Sequence, residues 1–280
     1  MDTTSIVALL IVAAIVALVV FRVVFWPRLR RLRILARPFP EQWLATLEQV
    51  LPFYKRMDKS EQESLKQQIQ LFIADKSFVG CAGQEIDDEI RLTIAAQACL
   101  LTLNRPGEHY QELRSVLIYP STFVAVRDVR DELGLVSTSR SHLLGESWDQ
   151  GKVVLAWDHV IQGVRNLEDG HNVVLHEFAH QLDSESGSTN GAPVLLARGA
   201  YKSWAEVFHR EYEELRHDAA LNVPSLLDKY GATNPAEFFA VATETFFERP
   251  RAMASHHPEL YQKLAEFYGL QPANWHHLNL

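Results

Sequence analysis

The sequence predicts an α+β protein that begins with a transmembrane helix and continues as a mainly helical domain with a small mixed β-sheet. Three observations predict this architecture: an unbroken apolar run near the N-terminus, helical periodicity in several segments, and a few short β-rich runs. Helical periodicity is found in residues 41–54, 60–72, 87–103, 200–216 and 237–249. The β-rich runs are residues 116–119, 123–126 and 153–157.

The apolar run occupies residues 6–21 and continues past Arg22 to Trp26. A helix of that extent (residues 6–26) is about 32 Å long at ~1.5 Å per residue, which matches a hydrocarbon core of ~30 Å. Asp2 precedes the run and six arginines follow it, whereas a cleaved signal peptide carries its positive charge before the run. The positive-inside rule therefore predicts an uncleaved, single-pass anchor in a cell inner membrane, with the N-terminus outside and the remaining chain in the cytoplasm.

These patterns divide the chain into a transmembrane anchor (residues 1–27), a basic juxtamembrane linker (residues 28–40) and one larger domain (residues 41–280). The linker is expected to set the topology and to attract anionic headgroups. A net charge of -8 argues against a large phosphate-binding surface, so nucleic acid is not an expected partner. Cys81 and Cys99 lie in apolar settings and are expected to be buried free thiols.

Three local predictions concern loops and helix starts. Residues 78–85 fit either a strand at the sheet edge or a tight connection, and the connection is favoured. Ser60, followed three residues later by Glu63, predicts a capping box for the second helix of the domain. Asp158 is expected to cap a short helix that ends near Val164.

The rest of the chain is organised around one stretch, residues 173–183, which contains His176-Glu177-Phe178-Ala179-His180. In a helix, residues i and i+4 lie on one face about one turn apart, so the two histidines can bind one metal ion. Glu177 then lies beside that ion, where its carboxylate can take a proton from the attacking water. The flanking residues are apolar, which predicts a buried helix; the alternative is a pair of satisfied core histidines.

A third ligand is expected because catalytic zinc usually keeps three protein ligands and one open position. The sixth residue after His180 is Ser186, so the ligand has to come from farther along the chain. The best candidate is Glu237, in the first turn of a helix that Asn234 can cap. Glu244 follows about two turns later on nearly the same face, so one glutamate could ligate and the other could orient a histidine. The alternative for Glu237 is an acid that the helix dipole favours.

The first motif, followed by the stretch from Tyr230 to Ala240, resembles the Mlc titration factor A family of bacterial zinc peptidases, whose catalytic core is similar to that of anthrax lethal factor. The resemblance covers most of the chain after about Pro38 and includes residues 78–80, 94–101 and 153–158. It implies a zincin-like metallopeptidase domain that acts on a peptide or protein substrate.

The resemblance also assigns roles to individual residues. It implies that His176, His180 and Glu237 bind one Zn²⁺ per chain and that Glu177 is the general base. Tyr230 matches a tyrosine implicated in catalysis, and its phenol could donate a hydrogen bond to a tetrahedral oxyanion. The alternative for Tyr230 is a half-buried aromatic residue at a helix entry.

A second hypothesis follows from the same resemblance, which implies that the family can capture a transcriptional repressor of sugar uptake. The protein would then be a binding module whose zinc is structural or regulatory. Glu177 distinguishes the two hypotheses, because a structural site needs no base and structural zinc usually has four protein ligands. Either Asp183 or Glu244 is expected to orient a ligand histidine.

Overall fold

The computed structural model describes residues 3–107, 109–121, 123–130, 136–143, 145–148 and 151–275. The chain divides into two compact units, Met1–Pro40 and Glu41–Leu280.

The first unit is one continuous helical segment, Thr3–Leu35, composed of α1 (Thr3–Val20), a π-helical turn (Phe21–Phe25) and α2 (Trp26–Leu35). It extends beyond the predicted end at Trp26 because arginine and leucine, which fill α2, are good helix formers. By length and composition the segment can cross a membrane, although a signal sequence meets the same criteria.

The second unit is mostly helical. Its helices are α3 (Glu41–Val50), α4 (Lys59–Asp75), α5 (Asp88–Leu100), α6 (Trp157–Arg165), α7 (Val173–Ser184), α8 (Ala200–Leu221), α9 (Pro235–Glu248), α10 (Pro250–His256) and α11 (Pro258–Tyr268). Its strands are β1 (Ser77–Gly80), β2 (Ser115–Tyr119), β3 (Phe123–Arg130), β4 (Val136–Leu143), β5 (Gly145–Trp148) and β6 (Lys152–Ala156).

The main sheet is small and mixed, with the strand order β1-β2-β6-β5. Strands β1, β2 and β6 are parallel, with Val116 opposite both Phe78 and Val153. Strand β5 is antiparallel to β6 and lies beside α7. Strands β3 and β4 form a separate antiparallel pair. The predicted mixed sheet is therefore present, and one of its edges runs along the helix that carries the histidines.

Three local predictions need correction. The connection predicted for residues 78–85 is wrong at its start, because residues 78–80 belong to β1, one of the two edge strands of the sheet. The capping box of α4 lies two residues earlier than predicted: Asp58 is the N-cap, and its N–H donates to Glu61 at 3.3 Å. Asp158 lies inside the first turn of α6 rather than before it. Asp and Ser are equally good N-caps, so sequence alone does not choose between neighbouring candidates.

The core surrounds α7 and α9, and both helices are buried along most of their length. Phe178 is completely buried, and its ring centroid lies 5.8 Å from that of Phe72 and 5.2 Å from that of Tyr110. A helix that is apolar on most sides is expected to lie inside a domain. Cys99 is also buried as expected, whereas Cys81 is only half-buried.

A part-buried hydrogen bond joins α8 to the turn between α10 and α11. Glu211 is 7% exposed, and its carboxylate lies 2.7 Å from Nδ1 of His257. Burial raises the pKa of Glu211, but the hydrogen bonds and charges of His257 and Arg210 together outweigh burial and lower that pKa below its usual value.

Acid is therefore expected to weaken the interaction between Glu211 and His257. A carboxyl whose folded pKa is depressed stabilises the fold above its unfolded pKa of about 4.3 and loses that contribution as the pH falls through the folded pKa. The difference in free energy of unfolding between the wild type and Glu211→Gln should be larger at pH 5.5 than at pH 3.5. Both proteins share any metal dependence, which cancels in the difference. A gap that does not change with pH would contradict the assignment.

Candidate metal centre

The two histidines of the predicted motif lie one turn apart on α7. The helix begins after Asn172, whose side-chain oxygen accepts hydrogen bonds from the N–H groups of Val174 and Leu175, both at 3.1 Å. The ring planes of His176 and His180 are 80° apart, and their Nε2 atoms are separated by 3.2 Å. Both rings are mostly buried. Because their Nε2 atoms are so close, α7 directs two imidazole nitrogens toward one point.

Glu237 reaches the same point from α9. Asn234 caps this helix by accepting from the N–H groups of Ala236 and Glu237, both at 3.0 Å, and Pro235 occupies the first turn as predicted. Oε2 of Glu237 lies 3.0 Å from Nε2 of His176 and 3.3 Å from Nε2 of His180. The structure thus brings together three predicted ligands from helices far apart in sequence.

The chemistry and spacing of these three atoms fit zinc. Tetrahedral zinc holds nitrogen and oxygen ligands at about 2.0–2.2 Å, so neighbouring ligand atoms are about 3.3 Å apart. Two imidazoles and one carboxylate are also a donor set that catalytic zinc uses. Among the residues described, no further His, Cys, Asp or Glu joins the group. Burial raises the pKa of Glu237, but the hydrogen bonds and charges of the two histidines outweigh burial and lower that pKa to about 2.

Glu244 contacts Nδ1 of His176, the ring nitrogen that does not face the other two candidate ligands. Its Oε1 lies 2.7 Å from Nδ1 of His176, and its Oε2 accepts the backbone N–H of Asn172. When Nδ1–H of His176 donates to this carboxylate, the lone pair of Nε2 is the one that remains to bind a metal ion. Asp183, the other candidate for this role, instead accepts the N–H of Gly191 at 2.7 Å.

The two predicted catalytic residues lie next to the ligands. Glu177 is almost completely buried on α7. Tyr230 lies on a 3-10 turn (Lys229–Ala232) that begins after Asp228, and its ring centroid is 6.0 Å from that of His176. Burial raises the pKa of Tyr230 to about 12, and the carboxylates of Glu237 and Glu177 contribute to the increase. The phenol is therefore a hydrogen-bond donor at neutral pH.

Gly191, in the loop between α7 and α8, lies close against the start of α9. Gly191 donates its N–H to Asp183, and its carbonyl accepts from Nε1 of Trp204 at 3.1 Å. It has a positive φ of 76°, and a Cβ atom there would lie 2.4 Å from the carbonyl oxygen of Pro235. A side chain at this position would therefore push against the first turn of α9, which carries Glu237.

The sequence predicted the three candidate ligands and Glu244, which the structure brings together, but Asn172, Gly191 and Glu248 were missed. The role of Asn172 as an N-cap was predictable, because an Asn directly before an apolar helix is a common N-cap. Glu248 accepts hydrogen bonds from the N–H of Gly170 and the amide of Asn172, at 3.1 and 3.0 Å. Its position one turn after Glu244 was visible in sequence, but its partners were not.

A substitution at Gly191 tests whether its close approach to Pro235 is needed for the position of Glu237. We expect Gly191→Ala to weaken zinc binding about tenfold, because the new Cβ pushes the first turn of α9 and Glu237 away from the histidines. Gly187→Ala is the matched control, since its φ is also positive, at 90°, but nothing lies within 4 Å of the added Cβ. Zinc affinity would be measured by chelator competition. Equal affinities in the two variants would contradict this role.

Comparison with known proteins gives the family. A family model described as glucose-regulated metallo-peptidase M90 matches residues 25–269. An uncharacterized protein of Synechocystis sp. is 42% identical over 249 residues, covering 88% of this chain and 90% of the relative. Mlc titration factor A of Cronobacter sakazakii is 32% identical over 235 residues, covering 83% and 87%. That of Escherichia fergusonii is 34% identical over 227 residues, covering 79% and 84%. The chain therefore belongs to the M90 family of glucose-regulated metallo-peptidases, which confirms the resemblance drawn from its two motifs.

Proposed function

We propose that the protein is a zinc-dependent metallopeptidase with a zincin-like domain in residues 41–280. The single observation that carries the proposal is the triangle of ligand atoms on His176, His180 and Glu237, with Glu177 buried beside it. Membership of a metallopeptidase family implies a metal, and this triangle fits zinc.

Each residue has a defined task in peptide hydrolysis. His176, His180 and Glu237 would hold one Zn²⁺, which when bound makes water more acidic and polarises a carbonyl group. Glu177 accepts the proton of the attacking water at its carboxylate and then gives it to the departing amine. Tyr230 donates a hydrogen bond from its phenol to the oxyanion that develops on the scissile carbonyl.

Strand β5 is the proposed binding edge for substrate. It is the last strand of the sheet, it is antiparallel to β6, and it lies beside α7. An extended peptide can add to such an edge through backbone hydrogen bonds, while its side chains occupy pockets. A substrate paired with β5 would therefore lie along the helix that carries the ligands.

The base is tested by Glu177→Gln in the full chain. The variant keeps the shape of the side chain and the three ligands, so it should bind zinc as tightly as the wild type. Because an amide cannot accept the proton, hydrolysis of a peptide-anilide panel should fall by about 100-fold or more. Zinc binding with equal hydrolysis by both proteins would contradict the role of Glu177.

We propose further that residues 1–27 anchor this enzyme in a bacterial inner membrane and that residues 28–40 form a basic linker. The proposal is supported by the apolar helix Thr3–Leu35 and by the arginines that follow its apolar part. The guanidinium groups of Arg22 and Arg33 lie 5.7 and 5.9 Å from the ring centroid of Trp26, a residue type common at the headgroup level. The catalytic unit would then lie on the cytoplasmic side.

Membrane fractionation tests the anchor. After an alkaline carbonate wash, the protein should stay in the membrane pellet, and its mass should include residues 1–27. Protease added to intact spheroplasts should leave the catalytic unit uncut, whereas protease added after lysis should degrade it. A soluble product that lacks the apolar helix would show instead that the helix is a removed signal sequence.

The alternative is a binding module. The relatives from Cronobacter sakazakii and Escherichia fergusonii are named Mlc titration factor A, which denotes titration of Mlc, and capture of a transcriptional repressor would follow for this chain by analogy. A structural zinc usually has four protein ligands, whereas the group among the described residues has three. Capture of a repressor does not require a buried acid such as Glu177, so the site favours hydrolysis.

A further inference from the structure

Two buried carboxylates on α9 hold the chain segment that enters α7. Glu244 accepts the backbone N–H of Asn172, and Glu248, one turn later, accepts the N–H of Gly170 at 3.1 Å. The other oxygen of Glu248 accepts from Nδ2 of Asn172 at 3.0 Å. The remaining oxygen of Glu244 is the one that meets His176. All four oxygens of the two carboxylates therefore form hydrogen bonds with residues 170–176.

Asn172 is where these contacts converge. Its Nδ2 group is held by Glu248, which fixes the orientation of the amide, so Oδ1 points at the N–H groups of Val174 and Leu175. Its backbone carbonyl accepts the N–H of His176 at 2.9 Å, so the first turn of α7 starts from this residue. A rotation of the amide would therefore remove the cap and disturb the turn that carries the first ligand.

The environment of Glu248 disfavours its charged form. Burial is the largest of the causes that raise its pKa to about 8; the nearby Glu244 and Asp169 add to the increase, and the hydrogen bonds of Asn172 and Gly170 partly oppose it. It touches neither the ligands nor Tyr230. Burying this carboxyl group lowers stability, which indicates that it has a role. The hydrogen bonds that it accepts come from Asn172 and Gly170, so the role is expected to act through these residues.

We propose that Glu248 is a positioning residue for the metal and acts through Asn172 on His176. The inference rests on the proposed metal site, because it says how the chain keeps one ligand of that site in place before the ion arrives. Glu244 sets the ring of His176, whereas Glu248 sets the helix turn from which the ring projects. Loss of Glu248 should then lower zinc affinity although no ligand has changed.

The experiment measures zinc dissociation constants of the full chain in detergent by chelator competition at about pH 9, above the pKa of about 8 of Glu248, so that both of its oxygens accept hydrogen bonds. In Glu248→Gln, the amide can accept from only one of its two donors and turns its own N–H toward the other. We expect zinc to bind about tenfold more weakly, the low end for partners of zinc ligands. Glu211→Gln is the matched control: it also removes a buried carboxylate that is hydrogen-bonded to a neighbour, but it lies on α8 and should leave zinc affinity unchanged.

An exchange of the two side chains supplies the rescue. Asn172→Asp alone keeps an oxygen for the cap but sets two carboxyl groups against each other, so it should also weaken zinc binding. Combined with Glu248→Gln, the introduced amide donates to the introduced carboxylate and still accepts from Gly170, so every hydrogen bond is restored. The double variant should regain the affinity of the wild type, and it carries the test if a single variant does not fold.

The outcomes separate this inference from the function on which it rests. If the wild type binds no zinc, both the metal site and the positioning role are wrong. If the wild type binds zinc and Glu248→Gln binds it equally well, only the positioning role is wrong. The positioning role is also wrong if the double variant folds and binds zinc as weakly as the single ones, since Glu248 would then act by another route.

Discussion

The structure depends on the hydrogen bonds that Glu244 makes across the interface between α7 and α9. One oxygen receives the N–H at the start of α7, and the other meets the ring of His176. The candidate ligands on α7 and Glu237 on α9 come from distant parts of the sequence, and the packing of these two helices brings them together. A carboxylate that binds both the backbone and the histidine fixes the helix and the ring together.

Polar groups near the candidate site are buried among aromatic residues of the core. On α9, Phe238, Phe239, Phe246 and Phe247 are buried together with Glu244 and Glu248. Burying a carboxyl group lowers stability unless hydrogen bonds satisfy it. Here the donors are supplied largely by the backbone and side chain of the segment before α7. The arrangement gives up some stability for ligand atoms that are already 3.0–3.3 Å apart in the folded chain.

The predictable part of the site was the part encoded by spacing. The i, i+4 histidines and the two acids seven residues apart on one helix face are enough to locate His176, His180, Glu237 and Glu244 in the sequence. The contacts of Gly191 were not predictable, because they join residues that only the fold brings together. Strands β4 and β5 were also missed, since β4 reads Val-Ser-Thr-Ser-Arg-Ser-His-Leu and lacks the apolar alternation that marked the other strands. The position of β1 as an edge was decided by pairing partners, which local sequence does not specify.

The most direct test of the metal centre is X-ray absorption spectroscopy at the zinc edge on the zinc-loaded full chain. If His176, His180 and Glu237 hold the ion, the spectrum will show two imidazoles and a shell of nitrogen and oxygen at about 2.0–2.2 Å, without sulfur. A sulfur shell at about 2.3 Å would place the ion at a cysteine instead, and fewer than two imidazoles would exclude the triangle. Either result would contradict the assignment of this site.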